Sequence, residues 1–155
     1  MIVPVDDLDR IMAVMTAAFD PAFGEAWNRR QVEDALLIGN CHYALVAAGA
    51  DCAGFYLSRF GFDEEELLLL AIIPEQRGRG YGAQLLERFL DDARARGATR
   101  ALLEMRDGNP AEQLYRRRRF VQVGARPNYY RGPNGVPFDA LTFACQLDRV
   151  SQTDR

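Results

Sequence analysis

Residues 77 to 83 read Arg-Gly-Arg-Gly-Tyr-Gly-Ala, between an apolar run, Leu67 to Ile73, and a segment of helical periodicity. A glycine-rich turn that opens a helix is an anion-binding device. The first-turn N–H groups have no intrahelical partner, the helix dipole adds partial positive charge, and glycine lets a phosphate reach the backbone. Arg77 and Arg79 add formal charge. The chemistry is phosphate binding, and three kinds of phosphate compete. A nucleoside-triphosphate loop needs G-x-x-x-x-G-K-[ST], and this chain has no lysine. A dinucleotide fingerprint, G-x-G-x-x-A, fits Gly78, Gly80 and Ala83, with Glu104 at the end of the next strand. It should follow its strand directly, however, and the roughly 70 residues after the loop are too few for a doubly wound sheet. The third candidate is the diphosphate of an acyl-coenzyme A.

The elements that must hold this loop are legible from periodicity. Leu8, Ile11, Met12, Met15 and Phe19 recur at helical steps, predicting a helix over 7–18 with Asp6 as its cap. Asn28 with Gln31 predicts a capping box, and Gly39 a helix end. Residues 42–49 and 53–60 read as strands around a turn at Gly49–Cys52, and Leu67–Ile73 as a central strand covered on both faces. A helix over 79–96 buries Leu85, Leu86, Phe89, Leu90 and Ala93 and ends at Gly97. A strand follows over 99–105, and Asn109, Pro110 and Glu112 start a further helix. Strands at 120–126 and 138–147 close the chain, the second with Leu141, Phe143, Cys145 and Leu147 on one side. That order gives an α/β layered domain with a central mixed sheet.

Composition narrows the setting. One domain over 1–148 with a polar tail at 149–155 is expected. A net charge of −3 argues against a nucleic-acid-binding field. No apolar stretch reaches membrane-span length, and the N-terminal residues lack a secretory pattern. Cys41, Cys52 and Cys145 have no metal-ligand or redox spacing and read as reduced thiols, so a cytoplasmic protein without a metal is expected. His42 receives no role.

Beyond these readings, Arg77–Gly82 resembles the [QR]-x-x-G-x-[GA] pyrophosphate loop of the GNAT acetyltransferase superfamily. Three further segments, LLEMRDGNPAEQLYRRRRF, RPNYYRGPNG and FGEAWNRRQVEDAL, are similar to its RimI branch, the ribosomal-protein-alanine N-acetyltransferases. The resemblance implies a GNAT fold with helices on both faces of the sheet. It implies direct transfer of an acetyl group from acetyl-CoA to the N-terminal alanine of a basic, ribosomal protein, without a metal. Lysine side chains or a small amine are the alternative acceptors, and an acyl-CoA-binding module without turnover is the alternative class. The resemblance implies Glu104 as general base and Tyr115 as general acid. Leu70, Ala71 and Ile72 would meet the pantetheine arm. Arg77, Gly78, Arg79, Gly80, Tyr81, Gly82 and Ala83 would hold the pyrophosphate, with Asn109 also on the cofactor, and Tyr129 and Tyr130 would bind the peptide. A monomer or weak dimer is expected. Asn109 has a rival role as a helix cap. The stretch from Asn109 to Tyr115 is one residue shorter than in the family, and Arg119 replaces its usual glycine. Arg116 to Arg119 read as solvated charge, with the coenzyme's 3′-phosphate or ribosomal RNA as the sharper reading, and Asp63 to Glu66 as a solvated acidic loop.

Overall fold

Two helices, three strands, a helix, a strand, a helix and two strands follow one another in a computed structural model that describes residues 5–147. The expected tail at 149–155 lies outside the described residues. Helix α1 (Val5–Ala18) buries Leu8, Ile11, Val14 and Met15. Asp6 and Asp7 sit within its first turn, where carboxylates complement the dipole, so Asp6 is not the cap that the sequence suggested. Helix α2 (Arg29–Ile38) has the expected capping box: Gln31 N–H donates to Asn28 Oδ1 and Asn28 N–H to Gln31 Oε1, each at 2.8 Å. Strands β1 (Cys41–Ala48) and β2 (Asp51–Gly61) are joined by Gly49 and Ala50 alone, so Asp51 and Cys52 belong to β2 rather than to the turn. The remaining elements are β3 (Glu64–Ile72), α3 (Tyr81–Ala95), β4 (Arg100–Arg106), α4 (Glu112–Arg117), β5 (Val121–Arg131) and β6 (Pro137–Gln146).

Among the described residues the sheet order is β1-β2-β3-β4-β6-β5, and of its pairs only β3–β4 is parallel. Helices α1 and α2 cover one face, where Ile11, Met15, Val32 and Leu36 cluster with Phe55, Leu57 and Leu69. Helix α3 covers the other, and all five residues expected to face inward, Leu85, Leu86, Phe89, Leu90 and Ala93, are buried there with Tyr115 and Phe143.

One irregularity shapes the molecule. Leu57 pairs with Leu69 but Ser58 pairs with Leu67, which leaves Leu68 as an extra residue on β3. A bulge resets the alternation of side chains and bends its strand. Leu68 and Leu69 both face α1 and α2, whereas Leu67, Leu70 and Ile72 face α3. The parallel pairing of β3 with β4 ends at Leu67 and Leu103, just before the bulge. Beyond it β3 stays with β2 as far as Ile72, and β4 stays with β6 as far as Arg106. The two central strands therefore separate, and a wedge opens between them.

At the closed end, one expectation needs correcting. Glu64 to Glu66 are strand, not solvated loop. Glu65 is fully buried, accepting from Ser58 Oγ at 2.6 Å and from Arg96 Nη2 and Nε at 2.6 and 3.2 Å. Only Phe62 and Asp63 form the turn, both at positive φ. Arg119 also has positive φ (68°), the left-handed conformation that glycine adopts without strain. Within the arginine run, Arg116 pairs with Glu112 at 3.3 Å and lies 5.0 Å from the Phe143 ring centroid, and Arg118 pairs with Glu87.

Candidate active site

The wedge opens into two neighbouring cavities. The larger, about 770 Å³, is bordered by Leu67 to Leu70 on β3, by Leu103 to Met105 on β4, and by Arg126 and Tyr129 to Arg131 on β5. The smaller, about 380 Å³, runs from Leu70, Ala71 and Ile72 to Gly82 and along Asn109 to Ala111. Leu70, Asn109, Tyr115, Glu25, Phe19 and Phe23 border both. A molecule lying through the smaller cavity would thus meet one entering the larger beside Tyr115.

Glu104 sits one residue past the last β3–β4 pair, so no strand covers it on the β3 side. Its Oε2 accepts from Arg126 Nη2 at 2.6 Å and Nε at 3.1 Å. The Arg126 guanidinium carbon lies 4.4 Å from the Tyr129 ring centroid, and the Tyr129 and Tyr130 rings meet edge to face at 5.1 Å. Burial, with Glu104 and Glu25 next, pushes the Tyr130 phenol up to about 12.

Tyr115 is buried on α4 with its ring edge-on to Phe120 at 5.8 Å. Burial raises its pKa strongly, and the nearby Glu25 carboxylate adds to the rise, so the phenol keeps its proton well above neutral pH. Glu25 lies in the segment between α1 and α2. It pairs with Arg106 Nε at 3.4 Å, and Arg106 in turn stacks 3.9 Å from the Phe23 ring centroid, fixing that segment to the end of β4. Glu25, Arg106 and Arg126 had no role in the sequence reading. The Glu25–Arg106 contact spans 81 positions, beyond any local pattern. Arg126 stood beside the noticed Asn-Tyr-Tyr, but only the β4–β6–β5 order brings it to Glu104.

The glycine loop has the geometry its sequence suggested. Gly78 and Gly80 have φ of 73° and 86°, and open space surrounds each where a Cβ would stand. Helix α3 has no side-chain cap, and its backbone ladder starts with Gln84 N–H donating to Gly80. The N–H groups of Tyr81, Gly82 and Ala83 therefore face outward without a helical acceptor. Arg79 is exposed beside them. Arg77 instead donates to the Ile72 carbonyl at 3.2 Å and the Ala18 carbonyl at 2.9 Å, tying the loop to the ends of β3 and α1. Asn109 Oδ1 accepts from Ala111 N–H at 2.9 Å, which closes a turn ahead of α4, while the residue also borders both cavities. These residues fit a diphosphate followed by a thin arm: donors at the loop, then a narrow passage to Tyr115. Among the described residues no cluster of three or more His, Cys, Asp or Glu could hold a metal ion, and no helix is long and apolar enough to cross a membrane.

A sequence model of the acetyltransferase (GNAT) family matches residues 9–120. The chain belongs to this family. The chain is 35% identical over 94 residues to the [ribosomal protein bS18]-alanine N-acetyltransferase of Haemophilus influenzae; the match covers 61% of this chain and 64% of that protein. It thus spans less than two thirds of that relative's length. A putative [ribosomal protein bS18]-alanine N-acetyltransferase of Bacillus subtilis is 27% identical over 128 residues, covering 81% of this chain and 82% of its own. The crystal structure of the ribosomal-protein-S18-alanine N-acetyltransferase of Escherichia coli superposes with a TM-score of 0.85 at 24% identity, covering 99% of this chain and 96% of that one. That likeness shows the GNAT fold, with its mixed six-stranded sheet and flanking helices.

Proposed function

We propose that this GNAT protein acetylates the N-terminal alanine of ribosomal protein bS18, using acetyl-CoA. The observation that carries the reading is the split between β3 and β4, which brings a diphosphate-shaped loop, a phenol and a carboxylate to one continuous cleft. The curated names of the relatives supply the acceptor.

When bound, acetyl-CoA supplies an activated acetyl thioester. The Tyr81, Gly82 and Ala83 amides with Arg79 hold its diphosphate, and the unpaired edge of β3 from Leu70 to Ile72 lines the arm. Glu104 takes a proton from the incoming ammonium. An α-ammonium has a pKa near ~8 against ~10.4 for lysine, so a single carboxylate can deprotonate it more readily by about 3 kcal/mol. Tyr115, still protonated, hands a proton to the departing sulfur. Tyr129 and Tyr130 flank the peptide.

Mass spectrometry after incubation with acetyl-CoA and short basic peptides tests the proposal. An alanine-first peptide should gain one acetyl group at its α-amine. Acetylation confined to lysine side chains would move the protein to the alternative acceptor class. Binding of acetyl-CoA without transfer to any amine would make it a binding module.

A further inference from the structure

The base of this cleft is not free. Strand β5 departs from its register at Arg126: this residue pairs with Ala140 and Tyr130 pairs with Phe138, so Pro127, Asn128 and Tyr129 oppose Asp139 alone. Asn128 turns through positive φ (54°), and its N–H donates to Asp139 Oδ1 at 2.9 Å. The bulge folds the Tyr129 ring back over Arg126, which is held between that ring and Glu104. Both donors of the guanidinium fork fall on Oε2, and among the described residues no donor bonds Oε1. Arg126 thus neutralises the carboxylate and takes one of its two oxygens, leaving Oε1 as the atom at which an acceptor ammonium would first meet it. On the reading of Glu104 as general base, we propose that Arg126 is a removable surrogate for the acceptor's ammonium, exchanged for it on binding and restored when the neutral amide has formed.

Three physical facts favour the exchange. A carboxylate in a cleft is costly to strip of its counter-charge, and replacing one cation by another keeps it balanced throughout. The Arg126 side chain is 58% exposed, so its guanidinium can withdraw into water, and an exposed ion pair of this kind contributes no more than about 5-fold to an equilibrium. Finally, guanidinium does not release its proton in proteins, whereas an α-ammonium with a pKa near ~8 does. Arg126 can therefore hold the carboxylate without acting as an acid in its place.

Charge then orders the cycle. The ammonium displaces Arg126 and passes one proton to Glu104, which becomes neutral and no longer attracts the guanidinium. The amine nitrogen forms its bond to the acetyl carbon as the carbon–sulfur bond breaks. The nitrogen's second proton passes to the Tyr115 oxygen, replacing the one that Tyr115 has given to the departing sulfur. Release of the Glu104 proton to water restores the carboxylate, and Arg126 returns to a product that carries no charge to compete with it.

The test compares wild type with Arg126→Gln and Arg126→Lys. Without the surrogate, KM for an alanine-first peptide should fall by about 3- to 5-fold. Arg126→Lys should lie nearer wild type. A KM that rises, with or without a loss of thermal stability, overturns the proposal, because Arg126 then contacts the peptide or serves only the fold; an unchanged KM overturns it too. Nitrogen NMR of the Arg126 Nε–H separates this outcome from the fate of the assigned function. The signal should shift on adding the free-amine peptide and stay in place with its Nα-acetylated form. Turnover with an unmoved signal removes the surrogate role and leaves the acetyltransferase reading intact. A shift without turnover supports the surrogate and removes the reaction.

Discussion

Two glutamate–arginine pairs stand on the two central strands, and their bonds are nearly the same. Glu65 receives Arg96 Nη2 at 2.6 Å and Nε at 3.2 Å; Glu104 receives Arg126 Nη2 at 2.6 Å and Nε at 3.1 Å. Their surroundings are opposite. Glu65 lies where β3 and β4 are still paired, opposite Ala101, under the C-terminal end of α3, and it is fully buried with Ser58 as a third partner. Glu104 lies one position beyond the last paired residue, with its partner more than half exposed. Bond length therefore says little about role. Burial decides whether the pair can part, and the split after Leu67 and Leu103 draws the boundary between an ion pair that fastens the sheet and one that can open.

The comparison is easiest to break at the closed end. Glu65→Ala leaves the Arg96 charge without its buried partner and should cost about 3–5 kcal/mol, read from urea denaturation. The double variant Glu65→Leu with Arg96→Met should recover most of this, because a packed apolar pair removes both charges together. A single-variant loss under about 1 kcal/mol would mean that the two pairs do not differ in kind. At the open end the effects should separate the other way. Glu104→Gln should change stability by less than about 1 kcal/mol while slowing peptide acetylation by about 100-fold, the scale of a general base. That loss should be partly recovered at alkaline pH, where free amine accumulates without help. An unchanged pH–rate profile would remove Glu104 from the base role.

What the sequence disclosed follows the same division. The inward face of α3, the capping box at Asn28 and the glycine turn were legible because each is local: a period, a spacing or a backbone conformation written in consecutive residues. The acidic block was misread because charge alone cannot distinguish a solvated loop from a strand. Glu65 is tolerable inside only because Arg96, 31 positions away, reaches it. Glu104 and Tyr115 were named through family likeness, and nothing in their immediate neighbours separates them from an edge charge and a packing ring. Arg126 and Glu25 escaped because their partners arrive through sheet order and a long-range ion pair. The bulge at Leu68 was invisible for another reason: in a run of four leucines, a slip in alternation leaves no mark on the sequence.

The smallest effect concerns His42, which pairs in register with Ser58 at the closed end. Burial lowers its pKa below 6.5, and the Arg96 charge lowers it further, against weaker opposition from Glu65 and Asp92. The unfolded chain therefore binds this proton more readily than the folded one. The stabilisation is present above about pH 6.5 and is lost as pH falls through the folded pKa. His42→Gln should flatten the acid side of the stability curve near neutrality while leaving its alkaline side alone. The alkaline side is shared by both regions: Tyr130 at the open end and Tyr43 on β1 each titrate at about 12 rather than 10, and burial raises Tyr56 further still, so their contribution disappears as pH rises from 10 through 12 and beyond. Thermal midpoints measured between pH 5 and 8 for both proteins check the first half. If the acid slope survives in His42→Gln, carboxylates rather than this histidine govern it, and the closed end has no proton-sensitive element of its own near neutral pH.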